Sequence, residues 1–263
     1  VPRPDRCPPE QRGDIPQARN ILACKPGQAH NGRRGVESLG TERIRATVIT
    51  AVISAGVALS TVLLTACGGG ITAGSGIAAT QTRHLAAFTS VDLAGSNNVT
   101  VHVGGRQSVV VHADDNLLRR VITQVHAGTL TIGTTGSFTT KSPMSVEISV
   151  PSLGALALSG SGVISAANIQ AQRLSVTLSG SGIVRTSGTV TRLDVSLGGS
   201  GDALLEQLVA RDVHADLSGS GRIVAHATNT LEASVPGSGT IVYSGNPAHV
   251  TTSITGSGTV TRR

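Results

Sequence analysis

Aromatic residues are nearly missing from this 263-residue chain, which has two Phe, one Tyr and no Trp. Globular cores commonly use rings to fill irregular space. This core must instead be packed from Val, Ile, Leu and Ala, which suits a stack of similar small units. Cysteine is scarce as well. Cys7, Cys24 and Cys67 are the only three, so a disulfide framework beyond residue 67 is excluded. The formal net charge of +6 is spread unevenly: residues 1–66 hold 9 Lys/Arg against 5 Asp/Glu, and residues 67–263 hold 12 against 10. A nearly balanced body with almost no rings for base stacking gives no expectation of a nucleic-acid partner. Glycine is plentiful at 33 residues, but without the every-third-residue period of collagen.

What the sequence does have is a repeat. "LSGSG" starts at Leu158, Leu178 and Leu217, with the variants "LGGSG" at Leu197, "VPGSG" at Val235 and "ITGSG" at Ile254. Successive starts differ by 18 to 20 residues. Two positions after each second glycine the residue is always apolar: Ile164, Val184, Ala203, Ile223, Ile241 or Val260. Before the glycines, apolar residues alternate with polar ones, as in Leu174-Val176-Leu178 and Leu193-Val195-Leu197. Period-2 alternation marks strands buried on one face. One unit of about 19 residues cannot bury that face alone, whereas stacked units bury a continuous aliphatic column. The expected fold is all-β: a parallel β-solenoid of ~19-residue coils with GSG corners, glycine serving there for positive φ. Residues 85–157 read as a β-rich capping region, in which Leu117, Leu118, Val121, Ile122 and Val125 have helical spacing after a possible Asp115 or Asn116 cap.

The front of the chain has a different character. Residues 1–42 are rich in Pro, Gly and Arg and read as a disordered or untranslated extension, with Val36 an alternative start. Residues 43–66 read as a lipoprotein signal sequence: Arg43 and Arg45, then an uncharged apolar run from Ala46 to Ala66. The run ends in Leu64-Thr65-Ala66-Cys67, which resembles the lipobox of bacterial lipoproteins. That resemblance implies a diacylglyceryl group on Cys67 Sγ and cleavage before it. An uncleaved signal-anchor helix is the alternative. Residues 67–84 then form the lipidated Cys and a flexible tether.

Several phrases together resemble the bacterial head GIN domain, a family also described as putative autotransporter adhesins. They are "FTSVDLAGSNNVTVHVG", "VPSLGALALSGSG" and "LEASVPGSGTIVYSGNPAHVTTSITGSGTV". The resemblance covers about residues 85–261. It implies a β-solenoid envelope protein, secreted or lipid-anchored, and brings no catalytic residues with it. With Arg263 ending the sequence, a C-terminal outer-membrane barrel is not expected.

Enzyme signatures fail on inspection. GxSxG is absent, "GSFTTKS" at Gly136 lacks the second P-loop glycine, and the corners lack the Asp of a calcium roll. One constellation remains. Counting back from each GSG, outward positions run Ser175, Asp194, His214, Glu232 and Thr251, which places His214 between two acids with Asp216 beside it. Such a surface cluster suits a divalent cation or acid–base chemistry; the alternative is a solvated ladder. No cofactor is expected. The expected function is non-enzymatic: a lipid-anchored protein on the extracytoplasmic face of the cell membrane, with an adhesin-like or envelope-organising role. Glycans or envelope proteins are the expected partners. An accessory or sensor lipoprotein and a polysaccharide-acting enzyme are the competing readings. Arg262 and Arg263 at the tip disfavour edge-to-edge growth, so a monomer is expected.

Overall fold

A computed structural model describes residues 71–263. The segments 1–42 and 43–66, with Leu64, Thr65, Ala66 and Cys67, lie outside the described residues. In chain order the strands of the N-terminal part are β1 (Thr72–Ala73), β2 (Ala78–Arg83), β3 (Ser90–Leu93), β4 (Asn98–Val103), β5 (Ser108–Asp114), β6 (Val121–His126), β7 (Thr129–Thr134), β8 (Phe138–Thr139) and β9 (Ser145–Val150). The coils follow as β10 (Ala155–Leu158), β11 (Val163–Leu178), β12 (Ile183–Leu197), β13 (Asp202–Leu217), β14 (Arg222–Val235), β15 (Thr240–Ser244), β16 (His249–Ile254) and β17 (Thr259–Arg262).

The expected parallel β-solenoid is what forms. Leu158 pairs with Leu178, Leu178 with Leu197 and Leu197 with Leu217, all fully buried and in parallel register. Ile164, Val184, Ala203, Ile223 and Ile241 make a second buried line on the other side of the corner. Burying one such aliphatic side chain contributes roughly 1.5–3 kcal/mol, and repetition turns that into a continuous core. Within each coil the register slips again away from the GSG, for instance between Ala166 and Ile169 and between Leu205 and Val209. These bulges absorb the differences in coil length. The short step from Leu217 to Val235 arises there, and the corner is untouched.

The corners themselves correct the expected role of glycine. None of the GSG glycines has a positive φ. They are glycine because the coils touch there. A Cβ on Gly180 would overlap the carbonyl oxygen of Gly160, one on Gly199 that of Gly180, and one on Gly219 that of Gly199. The second glycine is equally confined: a Cβ on Gly182 would strike both Gly162 O and the Leu158 side chain. Peptide N–H groups continue the contact, with Ser220 donating to Gly199 O and Arg222 to Gly201 O (both 3.1 Å).

The cap is built out of chain order. β3 and β4 form the first regular coil, and the coil beneath it comes later in the sequence, with β7 pairing parallel to β3 and β9 parallel to β4. Antiparallel strands finish both sides: β6 on β7, and β5 then β2 beyond β9. Two expectations fail here. The expected helix is a single 3-10 turn at Leu118–Arg120, and Val121–His126 is strand. Its β-branched residues favour extended backbone. Ala127 and Gly128 (φ 48° and 75°) supply the double positive φ of a tight hairpin turn into β7. The tether expected over 67–84 fails in its described part, because β1 pairs with β8 and β2 pairs with the edge of β5. An open β5 edge needs a partner, and β2 is polar because it is itself the exposed edge strand. Asp115 and Asn116, expected to cap a helix, hold this segment instead: Ser75 Oγ donates to Asp115, and Asn116 Nδ2 donates to Ala73 O at 2.8 Å.

Contacts at the corners separate glycines that look alike in sequence. Gly182→Ala is expected to cost at least about 2 kcal/mol in chemical denaturation, through backbone overlap that rotamers cannot relieve. Gly198→Ala meets nothing closer than Ser218 Oγ at 3.7 Å and is expected to be neutral or to gain about 0.5 kcal/mol. Equal effects at the two sites would contradict the contact explanation.

Candidate functional site

In-register parallel stacking turns each outward position of the repeat into a line of side chains about 4.8 Å apart. On the face that precedes the GSG corners there are three such lines. The first runs Ser175, Asp194, His214, Glu232 and Thr251. The second runs Thr177, Ser196, Asp216, Ser234 and Ser253. The third, at the outer bend, runs Arg173, Arg192, Asp212, Thr230 and His249. Short hydroxyl side chains dominate the middle line, and the aliphatic residues between the lines point inward.

The sequence-derived cluster therefore shares one face, but its members do not converge. Asp194 turns to the outer bend, where Arg173 Nε donates to its Oδ2 at 2.7 Å and Arg192 Nε lies 3.9 Å from its Oδ1. His214 Nδ1 approaches Glu232 Oε2 at 3.3 Å. Asp216 stands in the next line, between Ser196 and Ser234. Among the described residues no group of three His, Cys, Asp or Glu is placed to hold a metal ion. An exposed His–carboxylate contact of this kind contributes little. Asp212 is likewise engaged, its carboxyl held below the usual range chiefly by the amide of Asn229 at 2.7 Å. On the same sheet nearer the cap, partial burial pushes the Asp92 carboxyl up.

A second candidate lies at the cap, where sequence reading gave no signal. A recess of about 590 Å³ opens between the corner at Ser96-Asn97 and the segment from Thr134 to Thr140. The far wall of this recess is fixed by a buried carboxylate. Asp114, fully buried, accepts hydrogen bonds from Lys141 N (2.9 Å), Ser142 Oγ (2.7 Å), Ser142 N (3.2 Å) and Gly76 N (3.1 Å). These donors, led by the Lys141 N–H, hold its carboxyl below the usual value against the opposing effect of burial. One carboxylate thus joins the N-terminal segment, the end of β5 and the loop that walls the recess. The only sequence hint was an acid closing an alternating apolar strand.

The family described as "putative auto-transporter adhesin, head GIN domain" matches residues 87–247. A solved putative adhesin from Bacteroides fragilis NCTC 9343 has a similar fold, with a TM-score of 0.62 and 22% sequence identity, covering 73% of this chain and 99% of that one. A putative adhesin from Parabacteroides distasonis ATCC 8503 aligns with a TM-score of 0.49 at 22% identity, covering 74% of this chain and 100% of its own. No curated protein matches. At 22% identity the Bacteroides fragilis structure bears on the fold alone.

The Asp114 clamp sets an acid limit to stability. A carboxyl whose folded pKa lies below 3.8 stabilises the fold fully above about pH 5, and that contribution is lost as pH falls through 3.8 toward the folded value. Asp114→Asn is expected to lower stability at neutral pH and to flatten its dependence on pH in the acid range, followed by denaturant unfolding from pH 7 to 3. An unchanged acid limb in the variant would assign that limb to other groups.

Proposed function

The chain belongs to the head GIN domain family of putative auto-transporter adhesins, and on that premise we propose that it is a non-enzymatic recognition module of the cell envelope. Its contact surface is the face carrying the lines through Ser175 and Thr177. The observation that carries this reading is the register. Because the coils stack without stagger, Thr177, Ser196, Ser234 and Ser253 stand in one row on a sheet whose backbone is fixed on both sides. A rigid row of hydroxyls loses little side-chain entropy on binding and suits a partner that itself repeats, such as a glycan or an envelope protein. Two acids on this face are already engaged, Asp194 with Arg173 and Asp212 with Asn229.

The module is tied to the extracytoplasmic face of the membrane through lipid on Cys67. Support comes from the order of Arg43, Arg45, the apolar run and Leu64-Thr65-Ala66-Cys67. Among the described residues the first strand begins at Thr72, and residues 68–71 separate it from Cys67. That span reaches at most roughly 18 Å at about 3.5 Å per residue, which keeps the cap close to the bilayer.

Two measurements test the proposal. The protein isolated from membranes is expected to have the mass of a chain beginning at a diacylglyceryl-modified Cys67, and Cys67→Ser is expected to abolish both the modification and the cleavage. An unmodified mass would remove the anchor. Separately, the full chain on an array of glycans, matrix proteins and envelope proteins is expected to bind saturably. The triple variant Thr177→Ala, Ser196→Ala, Ser234→Ala should weaken binding about tenfold or more at unchanged unfolding midpoint. A blank array, or a triple variant that binds as well as the parent, would refute the surface.

A further inference from the structure

The lowest corner of the stack differs from those above it. Leu93-Ala94-Gly95-Ser96-Asn97 sits beneath Leu158-Ser159-Gly160-Ser161-Gly162, with Asn97 where each later corner has glycine. The reason is the absence of a corner below. The coil made by β7 and β9 has no GSG; its chain swings outward through residues 135–144 instead. A Cβ on Gly95 would find nothing nearer than Gly133 Cα and Thr134 Oγ1, both at 3.8 Å, whereas a Cβ on Gly160 would overlap Gly95 O. Position 97 therefore accepts a side chain, and the missing corner is the recess of about 590 Å³. That volume falls within the roughly 300–1,000 Å³ of small-molecule sites.

The recess has a defined chemistry. In the higher corners a peptide N–H reaches down to a carbonyl of the coil below, as Ser238 N does to Gly219 O at 3.1 Å. Among the described residues the N–H groups of Ser96 and Asn97 have no backbone acceptor. Asn97 is only 6% exposed, lines the recess, and its Nδ2 has no partner. A buried donor left unpaired is costly, so a turn of the Asn97 amide toward a ligand oxygen in the recess recovers that loss. Around these donors stand the hydroxyls of Thr134, Ser137, Thr139 and Thr140, while Phe138 and Met144 give an apolar side. No described lining residue is charged. The wall is held in place by β8 pairing with β1 and by Asp114 gripping Lys141 and Ser142.

We propose that this recess is a binding site for a neutral saccharide, with Asn97 and the Ser96-Asn97 peptide groups donating to its carbonyl or hydroxyl oxygens and Phe138 packing against a ring face. A sugar matches the lining: hydroxyls that both donate and accept, one apolar face, and no charge to balance. The guanidinium of Arg120, which borders Gly136, is already engaged with Thr135 O and Thr72 Oγ1, so an acidic ligand would find no dedicated counter-ion in a partly desolvated site. The inference shares with the proposed function only the premise that the chain recognises a ligand; the recess and the outer rows are separate surfaces.

The test is calorimetric titration of the full chain with N,N′-diacetylchitobiose and, in parallel, with digalacturonate. The neutral probe is expected to bind saturably in the millimolar range or tighter, and digalacturonate at least about tenfold more weakly. Asn97→Gly restores the residue found in the higher corners, so it keeps the fold while removing the donor; about a tenfold loss for the neutral probe is expected. Phe138→Leu is a second variant with the same expectation. No binding of the neutral probe, equal binding of the acidic one, or undiminished binding in both variants would overturn the site. Loss in the Thr177/Ser196/Ser234 triple variant with none in Asn97→Gly would overturn the recess while leaving the outer surface standing. Loss in Asn97→Gly with none in the triple variant is the pattern expected of the recess, and it leaves the outer surface to the test on the array.

Discussion

Backbone touching backbone at the stacked corners is the constraint from which the rest of this structure follows. Successive coils meet glycine on glycine, with no room for even a methyl group, and the peptide hydrogen bonds between them run straight up the stack. A strand pair of ordinary composition can slip by two residues and still bury the same face. Here a slip of any size would drive a side chain into a carbonyl oxygen. The glycines therefore act as register pins, and the alignment of outer side chains into lines is a by-product of that pinning. Variation in coil length falls at bends away from the GSG corners, as at Leu205–Val209.

The same constraint explains the shortage of aromatics. Each coil encloses a narrow strip whose inward positions are one residue above another, so a large ring in one coil would need space in its neighbours. Leu, Val, Ile and Ala fill the strip without that demand. The few rings sit where regularity ends. Phe88 is buried in the cap just before β3, Phe138 lies in the loop that replaces a corner, and Tyr243 packs partly buried in the last full turn.

Much of this was legible in the sequence, and the limits have physical causes. The solenoid, its inward residues and even the pairing order Ser175–Asp194–His214–Glu232–Thr251 follow from alternation and period, because a one-dimensional stack has only nearest neighbours to place. The cap resisted for the opposite reason. Its lowest coil is assembled from β7 and β9, which the chain reaches after the coil above, and no periodicity encodes that detour. Val121–Val125 satisfies both helical and strand spacing, and the decision was made by two residues outside it, Ala127 and Gly128. The polar β2 gave no alternation to read. At the site level, the sequence placed His214 between two acids in the row but had no means of showing that Arg173 captures Asp194. The recess was invisible, since it is created by what the coil beneath lacks. Within the corners the residue was anticipated correctly and its reason was not: glycine was expected for its torsion angles and is present for its size.

A corner that offers the same backbone above and below also makes the coil a unit of inheritance. Removing or duplicating a segment from one GSG to the next would leave every surviving interface of a kind already present, because the contact made by Gly199 on Gly180 is the contact made by Gly219 on Gly199. Only the cap, where no corner lies beneath Asn97, and the last strands are unique. Genes for such a chain are free to change length in whole coils by recombination between near-identical repeats, lengthening or shortening the outer face while the cap stays constant.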